Sequence, residues 1–144
     1  MSSTISVIIC TRNRLDDFRE TLASLLKQKR LPDELVVVDS SDTPVLEEYL
    51  RTVILPIAVK YIHSAPGLTL QRNVGVRGSS GDLICFFDDD TELNENYLAK
   101  IEAVFARNEL GLGAVGARLE NLFGDQPMTL RFRLERAVFV SLRF

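Results

Sequence analysis

The fold is decided by the stretch Leu83-Ile84-Cys85-Phe86-Phe87-Asp88-Asp89-Asp90, in which five apolar residues lead directly into three acidic ones. A short, unbroken apolar run rich in Ile and Phe is typical of a parallel β-strand that is covered on both faces. Ligands of open α/β sheets bind just beyond the carboxyl ends of such strands. The stretch therefore predicts a buried strand whose tip presents three carboxylates to a ligand.

Three adjacent carboxylates repel one another, so gathering them requires a nearby positive charge. A hard divalent cation, Mn²⁺ or Mg²⁺, would supply that charge, because such cations prefer oxygen ligands. One alternative is a solvated turn in which Asp90 or Asn94 caps the following helix. Another is the phosphatase pattern Asp-x-Asp-x-Thr/Val, but its register fails because position 92 is Glu92.

Composition narrows the classes of protein that the chain can represent. Its 144 residues suit one domain, and its net charge of −3 argues against a nucleic-acid binder. No run of eighteen apolar residues and no secretion-signal pattern occurs, so we expect a cytoplasmic protein without a membrane span. Cys10 and Cys85 both lie in apolar, strand-like runs, which predicts buried and reduced thiols.

Strand-like and helix-like segments alternate along the chain. The expected strands are 5–10, 34–39, 58–63, 83–87 and 114–119, and the expected helices are 15–30, 45–52, 68–77 and 95–107. The last of these helices is expected to turn Leu98, Ile101, Val104 and Phe105 inward. Such alternation predicts an α/β fold with a doubly wound, mostly parallel sheet.

The turn after the first strand excludes two nucleotide-binding folds. It reads Thr11-Arg12-Asn13-Arg14 where a dinucleotide-binding fold would have Gly-x-Gly-x-x-Gly. The Gly-x-x-x-x-Gly-Lys-Ser/Thr loop of P-loop proteins is also absent, and without a glycine-rich first loop a nucleotidyltransferase is disfavoured. A bound diphosphate would therefore need the cation at the acidic tip to neutralise its charge.

Five segments, in this order and spacing, resemble the nucleotide-binding half of a family 2 glycosyltransferase with the GT-A fold. They are Ser6-Val7-Ile8-Ile9-Cys10-Thr11-Arg12-Asn13-Arg14, the run 22–28, Glu34-Leu35-Val36-Val37-Val38-Asp39-Ser40-Ser41-Asp42, Gln71-Arg72-Asn73-Val74-Gly75 and Phe87-Asp88-Asp89-Asp90. The resemblance covers roughly residues 4 to 120. It implies a sheet with strand order 3-2-1-4 at its core, in which the strands of Cys10 and Cys85 are neighbours.

The resemblance also implies a function and a set of site residues. The function is metal-dependent, inverting transfer of a sugar from a nucleotide-diphosphate sugar, expected to be a UDP-sugar, to an acceptor hydroxyl. The implied nucleotide-binding residues are Thr11, Arg12, Asp39, Arg72, Asp88 and Asp89, and the implied ligands of the Mn²⁺ or Mg²⁺ ion are Asp90 and Asp88. A non-catalytic nucleotide-sugar-binding or regulatory module is the alternative, because no residue of this chain matches the family's general base.

The chain departs from the family pattern in two places. The loop Ser40-Ser41-Asp42 replaces the usual acid or Asn, then Gly, then Ser, and the chain has no Trp for the acceptor-side element. We predict that residues 1–127 form the donor-binding portion of a GT-A domain and that the apolar, basic tail 128–144 starts an acceptor half, with the general base further on. The acceptor would be a saccharide or lipid-linked saccharide, and the tail is expected to contact the inner membrane face or to form a homo-oligomer.

Overall fold

The computed structural model describes residues 3–107, 113–116 and 139–142. The strands are β1 (Ile5–Thr11), β2 (Glu34–Asp39), β3 (Ala58–His63), β4 (Leu83–Asp88), β5 (Ala114–Gly116) and β6 (Phe139–Leu142). The helices are α1 (Leu15–Leu26), α2 (Val45–Thr52), α3 (Leu68–Gly78) and α4 (Tyr97–Arg107). The alternation of strands and helices predicted from the sequence is confirmed.

The described strands form one sheet in the order β3-β2-β1-β4-β6-β5. Strand β1 is parallel to β2 and β4, and β2 is parallel to β3, whereas β6 is antiparallel to both of its neighbours. The predicted doubly wound sheet with core order 3-2-1-4 is confirmed. Because parallel strands end at the same edge of a sheet, Thr11, Asp39 and Asp88 lie along one edge at the ends of β1, β2 and β4.

Different helices cover the two faces of the sheet. Neighbouring residues of a strand point to opposite faces, so Val7 packs in the larger apolar cluster and Ile8 in the smaller one. The larger cluster includes Phe18 of α1 and Leu98 of α4, and the smaller cluster includes Val74 of α3. Complete burial of a side chain such as Phe18 stabilises the fold by about 2–3 kcal/mol.

Helix α3 lies unusually close to the sheet because two glycines face it. A Cβ atom at Gly75 would lie 2.5 Å from Ile8 Cγ2, and one at Gly78 would lie 2.7 Å from Ile62 Cδ1. A larger residue at either position would force the helix or the facing isoleucine side chain to shift. This close packing matters for the site, because α3 also carries Gln71.

Some local expectations need correction. Helix α4 begins at Tyr97 rather than near Glu95, and α1 ends before the basic residues at 27–30. The expected inward position of Val104 is wrong, because this residue lies on the flank of the helix and is 38% exposed. The expected burial of both thiols is also wrong in part. Cys85 is buried, but Cys10 is only half-buried.

The predicted tail contributes a strand to the sheet. Its residues 139–142 form β6, which pairs with β4 through Leu83 and Leu142 and with β5 through Gly116 and Phe139. These four residues are therefore part of the sheet, and the assignment of the tail to an acceptor half stays a prediction. The predicted boundary between 127 and 128 and the end of the expected strand at 117–119 lie outside the described residues. Within the described ranges, no helix is long and apolar enough to cross a membrane.

Candidate functional site

The strand register brings the predicted site residues to one edge of the sheet. Thr11 of β1 pairs with Asp39 of β2, and Cys10 of β1 pairs with Asp88 of β4. The chain then turns at Asp89, whose main-chain carbonyl accepts a hydrogen bond of 2.8 Å from the Thr21 hydroxyl of α1. The motif that contains Thr11 and the acidic motif after β4 are therefore neighbours at the carboxyl ends of two adjacent strands.

A buried hydrogen bond joins these two motifs directly. The Thr11 hydroxyl donates to Asp89 Oδ2 at 2.7 Å, and both residues are buried. Burial raises the pKa of the Asp89 carboxyl group, while the hydrogen bond from Thr11 and the charge of Arg14 reduce that rise. The Asp89 carboxylate is thus directed into the protein, toward Thr11.

Arg14 is a site residue that the sequence reasoning did not single out. Its guanidinium group contacts three carboxylates at once: Asp17 at 2.8 Å through Nε, Asp89 at 2.8 Å through Nη1 and Asp90 at 3.2 Å through Nη2. The available signal was its place in the turn after Thr11, at the same sheet edge as the acidic tip. The positive charge that the three carboxylates require therefore comes in part from the chain itself.

A second arginine pairs with the remaining carboxylate of the tip. Arg72 of α3 donates from Nη2 to Asp88 Oδ1 at 3.2 Å, and its guanidinium carbon lies 5.8 Å from the centre of the Phe86 ring. The side chains of Asp88 and Asp90 are 61% and 55% exposed. Ion pairs this exposed are weak, so both carboxylates can exchange an arginine for another partner.

Asp39 is enclosed to a degree that the sequence did not suggest. It is fully buried, and its Oδ1 accepts hydrogen bonds from the Ser41 main-chain N–H at 2.8 Å and the Ser41 hydroxyl at 2.5 Å. Its Oδ2 accepts a hydrogen bond of 3.0 Å from the Tyr61 hydroxyl of β3. Burial, followed by the bond to Asp39, raises the pKa of Tyr61, so the phenol stays protonated as the donor. Asp39 therefore fixes the loop that follows β2.

The loops after β1 and β2 are tied together at Asn13. This residue has a φ of 55°, a left-handed conformation that Asn tolerates better than most residues. Its side chain accepts a hydrogen bond from the Asp42 main-chain N–H at 3.0 Å and donates to Asp42 Oδ2 at 2.6 Å. Arg12 donates to Asp42 Oδ1 at 3.2 Å. The structure thus places Arg12 in this pair of loops and away from the acidic tip.

Gln71 of α3 connects the carboxyl ends of β1 and β2. Its side-chain amide donates to the Thr11 carbonyl at 3.0 Å and to the Val38 carbonyl at 2.9 Å, and the residue is buried. These contacts hold α3 over the carboxyl ends of β1 and β2. They also bring the adjacent residue, Arg72, to the acidic tip.

A cavity of about 210 Å³ opens between the two tied loops. It is lined by Thr11, Asn13, Arg14, Leu15, Ser41, Thr43, Val45 and Leu46. Its lining is apolar where α1 and α2 begin, at Leu15, Val45 and Leu46, and it is polar or charged elsewhere. A small planar group that needs both an apolar contact and hydrogen-bond donors and acceptors suits such a cavity.

The donor atoms at the acidic tip fit a hard divalent cation. Asp88 and Asp90 offer exposed carboxylate oxygens, which are the ligands that Mg²⁺ and Mn²⁺ prefer. Within the described part of the chain, no three His, Cys, Asp or Glu side chains are gathered as a complete metal site. This matches the usual binding of Mg²⁺ through one or two carboxylates together with substrate phosphates.

Comparison with known sequences identifies the family. The family model described as "Glycosyl transferase family 2" matches residues 6–138. A curated relative, "Uncharacterized glycosyltransferase YwdF" of Bacillus subtilis, is 33% identical over 97 residues, which is 67% of this chain and 36% of the relative. The chain therefore spans only about a third of the length of this relative.

Two solved structures share the fold. The Staphylococcus aureus TarS 1–349 structure in complex with UDP-GlcNAc has a TM-score of 0.73 at 22% identity and covers 96% of this chain and 45% of its own. The mannosyltransferase PcManGT of Pyrobaculum calidifontis, in complex with GDP-Man and Mn²⁺, has a TM-score of 0.71 at 23% identity, with coverages of 83% and 36%. At these identities the likeness concerns the fold alone, which is of the GT-A type. Since the family model matches most of its residues, this chain belongs to glycosyl transferase family 2.

Proposed function

We propose that this chain is the donor-binding part of a glycosyltransferase that uses a UDP-sugar together with Mn²⁺ or Mg²⁺. The observation that carries the proposal is the hydrogen bond of 2.7 Å between Thr11 and Asp89. It joins the end of β1, where the nucleotide would bind, to the acidic tip at the same edge of the sheet. The TarS structure with UDP-GlcNAc and the PcManGT structure with GDP-Man and Mn²⁺ support this kind of ligand.

The nucleoside would lie over the ends of β1 and β2. The cavity between the tied loops would accept the base, with Thr11 and Asn13 in its lining. Asp39 would act through the loop that it fixes, since its carboxylate is buried and bonded to Ser41 and Tyr61. Arg12 would face the ribose or phosphates from the same loop pair. This arrangement orients the donor before any chemistry occurs.

The diphosphate would lie beyond the tip of β4. Asp90 and Asp88 would hold the divalent cation, which when bound stabilises the negative charge of the departing nucleoside diphosphate. Arg72, which is only 3.2 Å from Asp88, would turn from that carboxylate to a phosphate oxygen. The proposed reaction is the inverting attack of an acceptor hydroxyl on the anomeric carbon, with a general base supplied by acceptor-side residues of the whole protein.

Calorimetry with UDP tests the donor site. We expect binding in the presence of MnCl₂ and little or none in the presence of a chelator, because the acidic tip repels a diphosphate unless a cation neutralises it. Asp90→Asn should lower the affinity measured with Mn²⁺ by about tenfold to a hundredfold, a range typical of groups that support a bound metal. Asp16→Asn is the matched control, since its carboxylate is 96% exposed and lies outside the tip.

Two outcomes would contradict the proposal in different ways. Equal affinity for UDP with and without chelator would remove the metal from the site. Failure to bind UDP or a UDP-sugar under any condition, with folding verified by circular dichroism, would remove the nucleotide. A protein that binds the UDP-sugar but in its complete form transfers no sugar would be the non-catalytic module instead.

A further inference from the structure

The contacts of Arg14 carry an inference that rests on the proposed function and goes beyond it. Three nitrogen atoms of one guanidinium group each contact a different carboxylate, those of Asp17, Asp89 and Asp90. We propose that Arg14 is a positioning residue that occupies the tip as an internal counter-ion and competes with the divalent cation for Asp90.

The three contacts of Arg14 are unequal. Asp89 is buried, and its distance of 2.8 Å to Nη1 is typical of a strong charge-assisted hydrogen bond. Asp17 is also 2.8 Å away, whereas Asp90 is 3.2 Å away and 55% exposed. The contact with Asp90 is therefore the one that breaks most easily. A cation can take Asp90 while Asp17 and Asp89 keep the guanidinium group in place.

The buried carboxylate explains why the internal counter-ion is needed. Asp89 points inward to Thr11, where an uncompensated negative charge would be costly. Arg14 provides that compensation permanently, in the nucleotide-free protein as well as in the complex. Arg14 therefore places a positive charge beside Asp90, and this charge repels an approaching divalent cation. Mn²⁺ affinity in the absence of nucleotide is thereby kept low.

The competition predicts the sign and size of a mutational effect. A charge of +1 about 6 Å from a divalent ion in water weakens its binding by roughly tenfold before salt screening. Arg14→Gln should therefore raise the affinity of the nucleotide-free protein for Mn²⁺ about threefold to tenfold. Arg19→Gln is the matched control, because it removes the same charge from a residue five positions further along the chain, while Arg19 pairs with Asp16 rather than with the tip.

A second variant keeps the proposal testable if Arg14→Gln fails to fold. Asp17→Asn removes one of the three partners of Arg14 from an exposed position, which leaves the guanidinium group more available to Asp90. Mn²⁺ affinity should then fall about twofold to fourfold. Asp16→Asn removes the neighbouring charge without touching Arg14, so it separates this effect from the general loss of a negative charge.

Titration of each protein with MnCl₂ alone, followed by the electron paramagnetic resonance signal of free Mn²⁺, tests the proposal. We expect the order of affinity Arg14→Gln, then wild type, then Asp17→Asn, with both controls close to wild type. Unchanged or weaker Mn²⁺ binding in Arg14→Gln would overturn the role of Arg14, because the arginine would then support the cation or ignore it. In that case metal-dependent UDP binding by the wild-type protein would still leave the proposed function standing.

Discussion

The two ends of the central strands both carry carboxylates, yet the surroundings of these carboxylates differ. At the amino end, Glu34 begins β2 and is buried among donors: the Ser6 hydroxyl at 2.6 Å, the Ser80 hydroxyl at 2.9 Å and Lys60 Nζ at 2.7 Å. The main-chain N–H of Ser80 also donates to it. At the carboxyl end, Asp88 and Asp90 are exposed and each is paired with an arginine at 3.2 Å.

The pKa shifts run in opposite directions at the two ends. Burial alone would raise the pKa of Glu34, but Lys60, Ser6 and Ser80 together lower it to about 2. At the other end, burial raises the pKa of Asp89, and the contacts with Thr11 and Arg14 reduce the rise without reversing it. Glu34 is therefore stabilised as an anion by the fold, whereas Asp89 is crowded by the negative charges of Asp90 and Asp17.

Two more carboxylates at the amino end, those of Asp33 and Asp82, also accept hydrogen bonds from within the fold. Asp33 Oδ2 accepts hydrogen bonds from the Ile5 main-chain N–H and from Arg30, both at 2.8 Å. Asp82 Oδ2 accepts hydrogen bonds from the main-chain N–H and the hydroxyl of Thr4 at 2.9 and 2.8 Å. The contacts of Ile5 with Asp33 and of Thr4 with Asp82 join the start of β1 to the segments before β2 and β4. The amino end thus holds the strands together, while at the carboxyl end Asp88 and Asp90 remain exposed to a ligand.

Replacing Glu34 should give the largest effect on stability. Glu34→Gln removes the charge that Lys60 neutralises and replaces one acceptor oxygen with a donor, so buried partners lose their bonds. We expect a loss of about 2–4 kcal/mol in the free energy of unfolding, measured with guanidinium chloride at pH 7. Glu20→Gln, an exposed replacement of the same charge on α1, should change it by less than about 0.5 kcal/mol.

A replacement at the carboxyl end tests the same comparison. Asp88→Asn should cost less than about 0.5 kcal/mol, because its single arginine contact is exposed. A loss as large as that of Glu34→Gln would show that the acidic tip also holds the fold together. The proposed division between the two ends would then be wrong.

The protein should lose stability at acidic pH because Glu34 becomes protonated. With a folded-state pKa of about 2 and an ordinary value of 4.5, Glu34 contributes stability that is fully present above about pH 4.5. That contribution is lost as the pH falls from about 4.5 toward 2, and it amounts to at most about 3 kcal/mol. Denaturation curves between pH 7 and pH 2.5 should show a shallower acid loss in Glu34→Gln than in wild type. Parallel losses in the two proteins would assign the acid sensitivity to other carboxylates.

A feature of this fold can be predicted from the sequence when the residues that determine it lie close together along the chain. Helix α2 was predicted at 45–52 because Pro44 fixes its start, and such signals lie within a few neighbouring residues. The meeting of Thr11 with the acidic tip followed from strand order, which the resemblance supplied. The environment of Glu34 could not be predicted, because Ser80 comes 46 residues later and Lys60 reaches it from the adjacent strand.

The site shows the same limit at the level of single side chains. The sequence places Arg14 in the right turn but gives no sign that it reaches three carboxylates, because that depends on the path of α1 past the tip of β4. Likewise, Asp39 was correctly placed at the end of β2, yet its burial depends on Tyr61 from the next strand. Composition and periodicity identify the edge of the sheet where the chemistry lies, and only packing decides which way each carboxylate turns.

A further prediction tests the buried contact between Thr11 and Asp89 at the carboxyl end. Thr11→Val keeps the shape of the side chain but leaves Asp89 Oδ2 without the hydroxyl that donates to it at 2.7 Å. We expect a loss of about 1–2 kcal/mol in the free energy of unfolding, because a buried acceptor loses its partner. Thr11→Ser retains the hydroxyl and loses only a methyl group, so it should lose about 1 kcal/mol less than the Val variant.

Nucleotide binding then separates the two roles of Thr11. If the hydroxyl serves mainly to orient Asp89, Thr11→Ser should bind UDP with Mn²⁺ almost as tightly as wild type, and Thr11→Val should bind it more weakly. Equal stability of the Val variant and the wild type would mean that the Asp89 carboxylate finds another donor once the hydroxyl is gone. Asp89 would then resemble the exchangeable carboxylates beside it rather than the fixed ones at the amino end, and the contrast between the two ends would extend to the whole acidic tip.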